Sequence, residues 1–244
     1  MSAPLEGVRV VEYAQYVAGP LCGVLLGDLG AEVIKVEPPA GDAYRFVMPV
    51  APAVGRYFLP LNRGKRSVVL DLKTVAGREA SGRLLATADV VLHNYPTVRA
   101  RAFGLDWDTL HELVPGAVLG VVSSFGAAGP LAGAPAYDLI AQAHAGLLTA
   151  HASPGDRVPV RAGGIPMADL TAGFLLATGV LAALYVPGSQ ESASGWTCRS
   201  SRRRWRCSSR ISSGSKARRP RPRHASPIAR SSTRAPPRSR AAWR

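Results

Sequence analysis

Residues 8–37, VRVVEYAQYVAGPLCGVLLGDLGAEVIKVE, decide the fold. Val8-Arg9-Val10-Val11-Glu12-Tyr13 is a β-branched run that predicts a strand. Pro20 precedes an apolar segment, Leu21 to Leu29, that predicts a helix ended by Gly30. Ala31-Glu32-Val33-Ile34-Lys35-Val36-Glu37 alternates and then meets Pro38-Pro39, which predicts a second strand. A strand–helix–strand unit of about 30 residues implies a right-handed crossover between parallel strands.

The same alternation extends outward. Ser67 to Leu72, Ala88 to His93 and Ala117 to Ser123 read as strands. Thr74 to Ala86, Asp106 to Leu113, Tyr137 to Thr149 and Met167 to Tyr185 read as helices. The fold class expected is α/β, a Rossmann-like, open, mainly parallel sheet with flanking helices. Ligands bind such sheets beyond the carboxyl ends of the strands. That points to Tyr13–Gly19, Asn94–Thr97 and Ser123–Pro130.

The chain has 244 residues, 47% apolar and 19% charged, as in an ordinary globular protein. No apolar run is expected to reach the ~18 residues of a membrane span. MSAPLEGVRVVEY lacks the basic start and apolar stretch of a signal peptide. Cys22, Cys198 and Cys207 make neither a metal-like spacing nor an even disulfide set. The expected setting is a cytoplasm, without a membrane.

The net charge of +14 suggests nucleic acid until the chain is divided. Residues 1–186 hold 14 basic and 15 acidic residues, whereas 187–244 hold 16 basic residues and one acid, Glu191. The second stretch is rich in Arg, Ser, Pro and Ala, and Ile211 and Ile228 are its only branched aliphatics. It cannot bury a core and is expected to be a disordered tail beside an N-terminal domain at 1–186. Its composition matches GC-rich DNA read out of frame. Shifted by two bases, the codons of Gly195 to Ser201 permit Val-Asp-Val-Ser-Leu-Leu, and those of Arg202 to Ser208 permit an apolar helix. The expectation is a frameshift that truncates the domain. A disordered tail or a nucleic-acid-binding arm are the alternatives.

Most catalytic signatures are missing. Gly126-Ala127-Ala128-Gly129-Pro130 has no Gly-Lys-Ser/Thr of a P-loop, and Gly19 to Gly30 lacks the dinucleotide spacing. His93, His111, His144 and His151 share no metal-ligand spacing and read as surface or boundary residues. No metal site is expected, no Gly-x-Ser-x-Gly elbow exists, and Cys22 reads as core. Asp169 stands out. Gly163-Gly164-Ile165-Pro166 leads into Met167-Ala168-Asp169 and a long apolar helix. The carboxylate is therefore either an N-cap or a nucleophile positioned at a helix start.

These motifs resemble the class III CoA-transferases, the formyl-CoA and carnitine CoA-transferase family. The resemblance runs from residue 4 to about 186. It rests on Pro4-Leu5-Glu6-Gly7-Val8-Arg9-Val10, Ala18-Gly19-Pro20, Leu29 to Glu37, Asn62-Arg63-Gly64-Lys65-Arg66-Ser67, Leu70-Asp71-Leu72-Lys73, Asn94-Tyr95, Tyr137-Asp138 and Pro166 to Asp169. The out-of-frame text resembles the segment that follows in this family.

The resemblance implies transfer of coenzyme A from an acyl-CoA thioester to a carboxylic acid, with Asp169 as covalent nucleophile and no permanently bound cofactor. It implies CoA contacts at Ala18, Leu70, Asp71, Leu72, Lys73, Asn94, Tyr95, Pro96 and Tyr137. It also implies interlocked homodimers for full-length relatives, so this truncated product is expected to be inactive. Val17, Pro38 and Ala102 stand where relatives often carry glutamine or arginine, which leaves the acid substrate open. The α-methylacyl-CoA racemases of the same family place Gly-His-Asp where Ala136-Tyr137-Asp138 stands here. Tyrosine is a poor base at neutral pH, so transfer is the favoured reading.

Overall fold

The computed structural model describes residues 2–150 except Ala53 and Ala127, residues 152, 153, 155 and 164–185, and strands at 195–199 and 206–210. Arg9–Glu12 (β1), Ala18–Asp28 (α1) and Glu32–Glu37 (β2) form the expected crossover. β1 and β2 pair in parallel from Arg9↔Glu32 to Glu12↔Lys35. A 3-10 turn at Ala43–Phe46, a hairpin of Pro49–Ala51 (β3) and Val54–Gly55 (β4), and helix Phe58–Asn62 (α2) follow. Next come Arg66–Val69 (β5), Val75–Leu85 (α3), Val90–His93 (β6), Thr97–Ala102 (α4), Trp107–Leu113 (α5) and Val118–Val122 (β7). The last elements are Asp138–His144 (α6), Leu147–Ala150 (α7), Met167–Tyr185 (α8), Gly195–Arg199 (β8) and Arg206–Arg210 (β9).

The main sheet has the order β5-β2-β1-β6-β7-β8-β9. Neighbours through β8 are parallel, and β9 is antiparallel to β8. The chain winds outward from β1 to β5 on one side and from β6 to β8 on the other. This doubly wound order opens a crevice between the carboxyl ends of β1 and β6, where its direction reverses.

Successive strand residues face opposite sides of the sheet, and both sides are covered. Val10, Val33, Val90, Leu92 and Val118 pack with Cys22 and Leu26 of α1 and with Leu176 and Val180 of α8. Val11, Val36, Val91 and Leu119 pack instead with Leu85 of α3, Ala100 of α4 and Leu110 of α5. Thr74 caps α3 by accepting the Gly77 N–H at 3.0 Å.

Three expectations need correction. The helix expected over 137–149 breaks at Gly146, whose φ of +78° ends α6 before α7 begins. Helix α8 is long and apolar enough, by length and composition, to cross a membrane. Here it lies on β7 and α1, with Gly173, Leu176, Ala177, Val180 and Ala183 buried. His93 is core, not boundary, because every residue of β6 is buried. Beyond α8, two short strands are described, β8 and β9, paired from Leu119↔Gly195 and from Gly195↔Arg210. The open edge of β7 offers unpaired N–H and C=O groups that extended backbone can satisfy. The rest of 187–244 lies outside the described residues.

The carboxyl end of β2 carries a pH-sensitive brace. Burial by itself would raise the Glu37 carboxyl. The Arg45 guanidinium at 2.6 and 2.7 Å, the Ser67 hydroxyl at 2.7 Å and the Asp42 N–H at 3.0 Å instead hold it at about 2. A carboxylate whose pKa falls on folding stabilises the fold above its unfolded pKa. This contribution is expected to be complete above pH 4.5 and lost as pH falls toward about 2. Urea unfolding across that window checks it, and Glu37→Gln should flatten the dependence.

Candidate active site

A cleft of about 400 Å³ occupies the switch point. It is lined by 15–18 after β1, 94–97 and Arg99 after β6, 122–126 after β7, 133–137, and Ala141, Ala168, Asp169 and Ala172. The two loops that flank the reversal are tied by one side chain. Asn94 Oδ1 accepts the Gln15 N–H at 3.1 Å, and Asn94 Nδ2 donates to the Gln15 carbonyl at 2.8 Å. Asn94→Ala loses both bonds and is expected to cost about 1–3 kcal/mol, read from the urea midpoint. No change would show that the clamp is dispensable.

Beneath the loop lies a buried ionic cluster. Lys35 Nζ is 3.1 Å from Glu12 Oε1, 2.9 Å from Asp42 Oδ2 and 2.7 Å from the Ala14 carbonyl. Lys65 Nζ is 2.8 Å from Glu12 Oε2 and 2.8 Å from the Pro20 carbonyl. These contacts grip both ends of the 14–20 segment. Burial pushes the Lys65 ammonium down to about 8, with Lys35 adding to the effect against the pull of Glu12. Gly23 makes room for the cluster, because a Cβ there would overlap the Glu12 carboxylate. Within the gripped loop Tyr16 sits at φ +67°, a costly conformation for a residue with a Cβ. Its ring meets Tyr44 at 5.8 Å and Tyr137 at 5.5 Å, edge to face. The interaction with Tyr137, then burial, raise the Tyr16 hydroxyl to about 12.

Asp169 is the third residue of α8 and borders the cleft. It is not the cap of that helix. The cap comes from α6, where Asp138 Oδ1 accepts the N–H groups of Ala168 at 2.8 Å and Asp169 at 3.1 Å. Gln142 Nε2 donates to Asp138 Oδ2 at 2.5 Å and to the Ile165 carbonyl at 3.2 Å. Burial, and then the neighbouring Asp138 charge, raise the Asp169 carboxyl to about 6.

The expected contact residues fall into two depressions. Ala18, Asn94, Tyr95, Pro96 and Tyr137 line the cleft with Asp169. Leu70, Asp71, Leu72 and Lys73 line a smaller hollow of about 50 Å³ beside Val36, Glu37 and Pro38. Tyr95 lines both and joins them. His93 holds Tyr95 in place, since its Nδ1 accepts the Tyr95 N–H at 3.3 Å. Burial keeps this imidazole neutral by lowering it to about 4. Gln15 and Tyr16 lie inside the 13–19 loop and Phe125 inside the 123–130 loop that the sequence pointed to, though none was singled out there. Asp138 was read only as part of the Tyr137-Asp138 motif, without its role as a cap. Among the described residues no group of three or more His, Cys, Asp or Glu could hold a metal ion.

Comparison with known proteins decides the family. Residues 5–195 match the sequence model of CoA-transferase family III. The chain belongs to that family. The probable fatty acyl-CoA transferase Rv3272 of Mycobacterium tuberculosis is 42% identical over 186 residues, 74% of this chain and 46% of that protein. The succinate–glutarate CoA-transferase of Agrobacterium fabrum is 40% identical over 189 residues, 74% of this chain and 47% of that protein. A crystal structure of Rv3272 superposes with a TM-score of 0.73 at 37% identity, covering 81% of this chain and 53% of that one. The chain spans about half the length of the curated relatives it matches. The stretch Asn62-Arg63-Gly64-Lys65-Arg66, one of the motifs that carry the resemblance, has a physical reading here. Lys65 enters the ionic cluster, Gly64 turns the chain at φ +72°, and Arg63 and Arg66 pair with Asp28 and Glu32 at the surface.

Proposed function

We propose that the cleft transfers coenzyme A from an acyl-CoA thioester to a carboxylic acid, with Asp169 as the covalent nucleophile. The observation that carries this reading is the Asp169 carboxyl at the cleft wall, held at about 6. It is mostly ionised at neutral pH yet more basic than an ordinary aspartate, which favours attack on a carbonyl carbon. Attack on the thioester carbon breaks the C–S bond, expels CoA thiolate and forms a mixed anhydride. The thiolate then attacks the aspartyl carbonyl, releasing the donor acid and leaving an aspartyl-CoA thioester. The acceptor carboxylate displaces the thiolate from this ester, and the thiolate finally attacks the acceptor's acyl carbon. Asp169 is regenerated. The relatives' printed names, a fatty acyl-CoA transferase and a succinate–glutarate CoA-transferase, support CoA transfer in general.

The hollow at 70–73, which shares Tyr95 with the cleft, would receive the remainder of a long thioester substrate. Lys73 in the hollow and Arg99 in the cleft are suited to phosphate oxygens. The 244-residue chain by itself is expected to give no net transfer, because it supplies about half of a relative's length. Restoring the alternative reading frame after Ala183 is expected to give a longer, active enzyme. Hydroxylamine trapping of that enzyme with acyl-CoA tests the covalent step. A hydroxamate at Asp169 supports it, and an intermediate that survives Asp169→Asn removes Asp169 from the role.

A further inference from the structure

We propose that Asp138 is a positioning residue for Asp169: it occupies the free N–H groups at the start of α8, so the Asp169 carboxylate is left without them and turned to the cleft. The inference rests on the nucleophile role proposed above for Asp169.

An acid in the first turn of a helix is ordinarily stabilised by the exposed N–H groups there. Those of α8 are all taken. Met167 N–H donates to the Ile165 carbonyl at 2.8 Å and Leu170 N–H to the Pro166 carbonyl at 2.9 Å. The two between them, on Ala168 and Asp169, both go to Asp138 Oδ1. Asp138 is itself fixed by Gln142, a buried side chain one helical turn along α6. One carboxylate thus absorbs the helix-end donors and sets a negative charge beside another. Among the described residues, the other titratable groups around Asp169 are Tyr137 next to the cap, Tyr44 from the 3-10 turn, and Tyr16, Tyr95 and Arg99 lining the same cleft. The Asp138 charge is the neighbouring charge that raises Asp169. The arrangement keeps the nucleophile basic without giving up the cap that orders its helix.

The test is a carboxyl-carbon NMR titration of the 244-residue chain with labelled aspartate, the Asp169 signal being assigned by its loss in Asp169→Asn. Asp138→Asn keeps an oxygen to accept both N–H groups and removes the charge, while its new amide nitrogen loses the bond accepted from Gln142. It is expected to lower Tm by less than loss of the whole cap does, and to lower the Asp169 midpoint by about one unit. Asp138→Ala removes cap and charge together and should lower Tm as well. In the unmodified chain the Asp138 signal should also move at the Asp169 midpoint, which tests the coupling without a variant. An Asp169 midpoint unmoved in Asp138→Asn, or an Asp138 signal that ignores Asp169, overturns the proposal. The titration reads no transfer. Coupling without hydroxylamine trapping would therefore discard the catalytic reading and keep the pair, whereas trapping without coupling would do the reverse.

Discussion

Replacing Asp169 by asparagine is expected to stabilise the chain at neutral pH while removing the proposed covalent step. The two effects share one cause. Burial and the Asp138 charge lift the Asp169 carboxyl from 3.8 to about 6 on folding. The folded state therefore holds its proton more tightly than the unfolded chain does. Stability is greatest below 3.8, falls as pH climbs to about 6, and stays reduced above that. The charge costs up to about 3 kcal/mol at neutral pH, and asparagine carries none. Asp169→Asn should therefore unfold at higher urea at neutral pH, with the gain shrinking to nothing in acid. If restoring the alternative frame yields the longer, active enzyme proposed above, the proposed nucleophile role predicts that the same change lowers its turnover by roughly 10⁴-fold or more. A variant less stable at neutral pH, or one whose gain ignores pH, would show that the carboxylate is not held in an unfavourable setting. Such a trade of stability for reactivity is what a nucleophile's site predicts.

The fold was legible where burial is two-sided. Val10 and Val11, or Val90, Val91 and Leu92, form continuous apolar runs because the sheet is covered on both faces. Asp169 was legible because a Gly-Gly-Ile-Pro breaker precedes an apolar helix. The contacts that set its chemistry were not. Asp138 caps a helix 31 residues away, and Lys65 meets Glu12 across 53 residues. No local pattern marks such pairings, since each depends on how the strands are ordered. His93 read as a surface or boundary residue because it shares no metal-ligand spacing with the other histidines, yet the parallel strand that carries it is wholly buried. Residues 70–73 and 94–96 were assigned to one substrate by resemblance alone. In the structure they line two depressions that share Tyr95.

Lys65→Met should be the most damaging single change outside the cleft, costing about 3–5 kcal/mol. Its side chain is 2% exposed and that of Glu12 is wholly buried. Methionine roughly matches the lysine stem but leaves Glu12 and Asp42 with Lys35 alone, in a region water does not reach. It also strips the donor from the Pro20 carbonyl at the start of α1. The loss is therefore that of an uncompensated buried charge rather than of one hydrogen bond. Arg63→Ala supplies the contrast from the same motif. Arg63 and Asp28 are 55% and 48% exposed, so breaking their pair should cost under about 1 kcal/mol. Guanidinium unfolding of both variants against the parent measures the difference. Most domains have only about 5–15 kcal/mol of stability in total, so the lysine change should also raise the unfolded fraction at low denaturant. Because the cluster grips the 14–20 segment at both ends, local exchange of the Tyr16 and Ala18 amides should rise before global unfolding does. Equal costs for Lys65→Met and Arg63→Ala would mean the cluster is solvated. The Tyr16 loop would then need another explanation for its strained conformation.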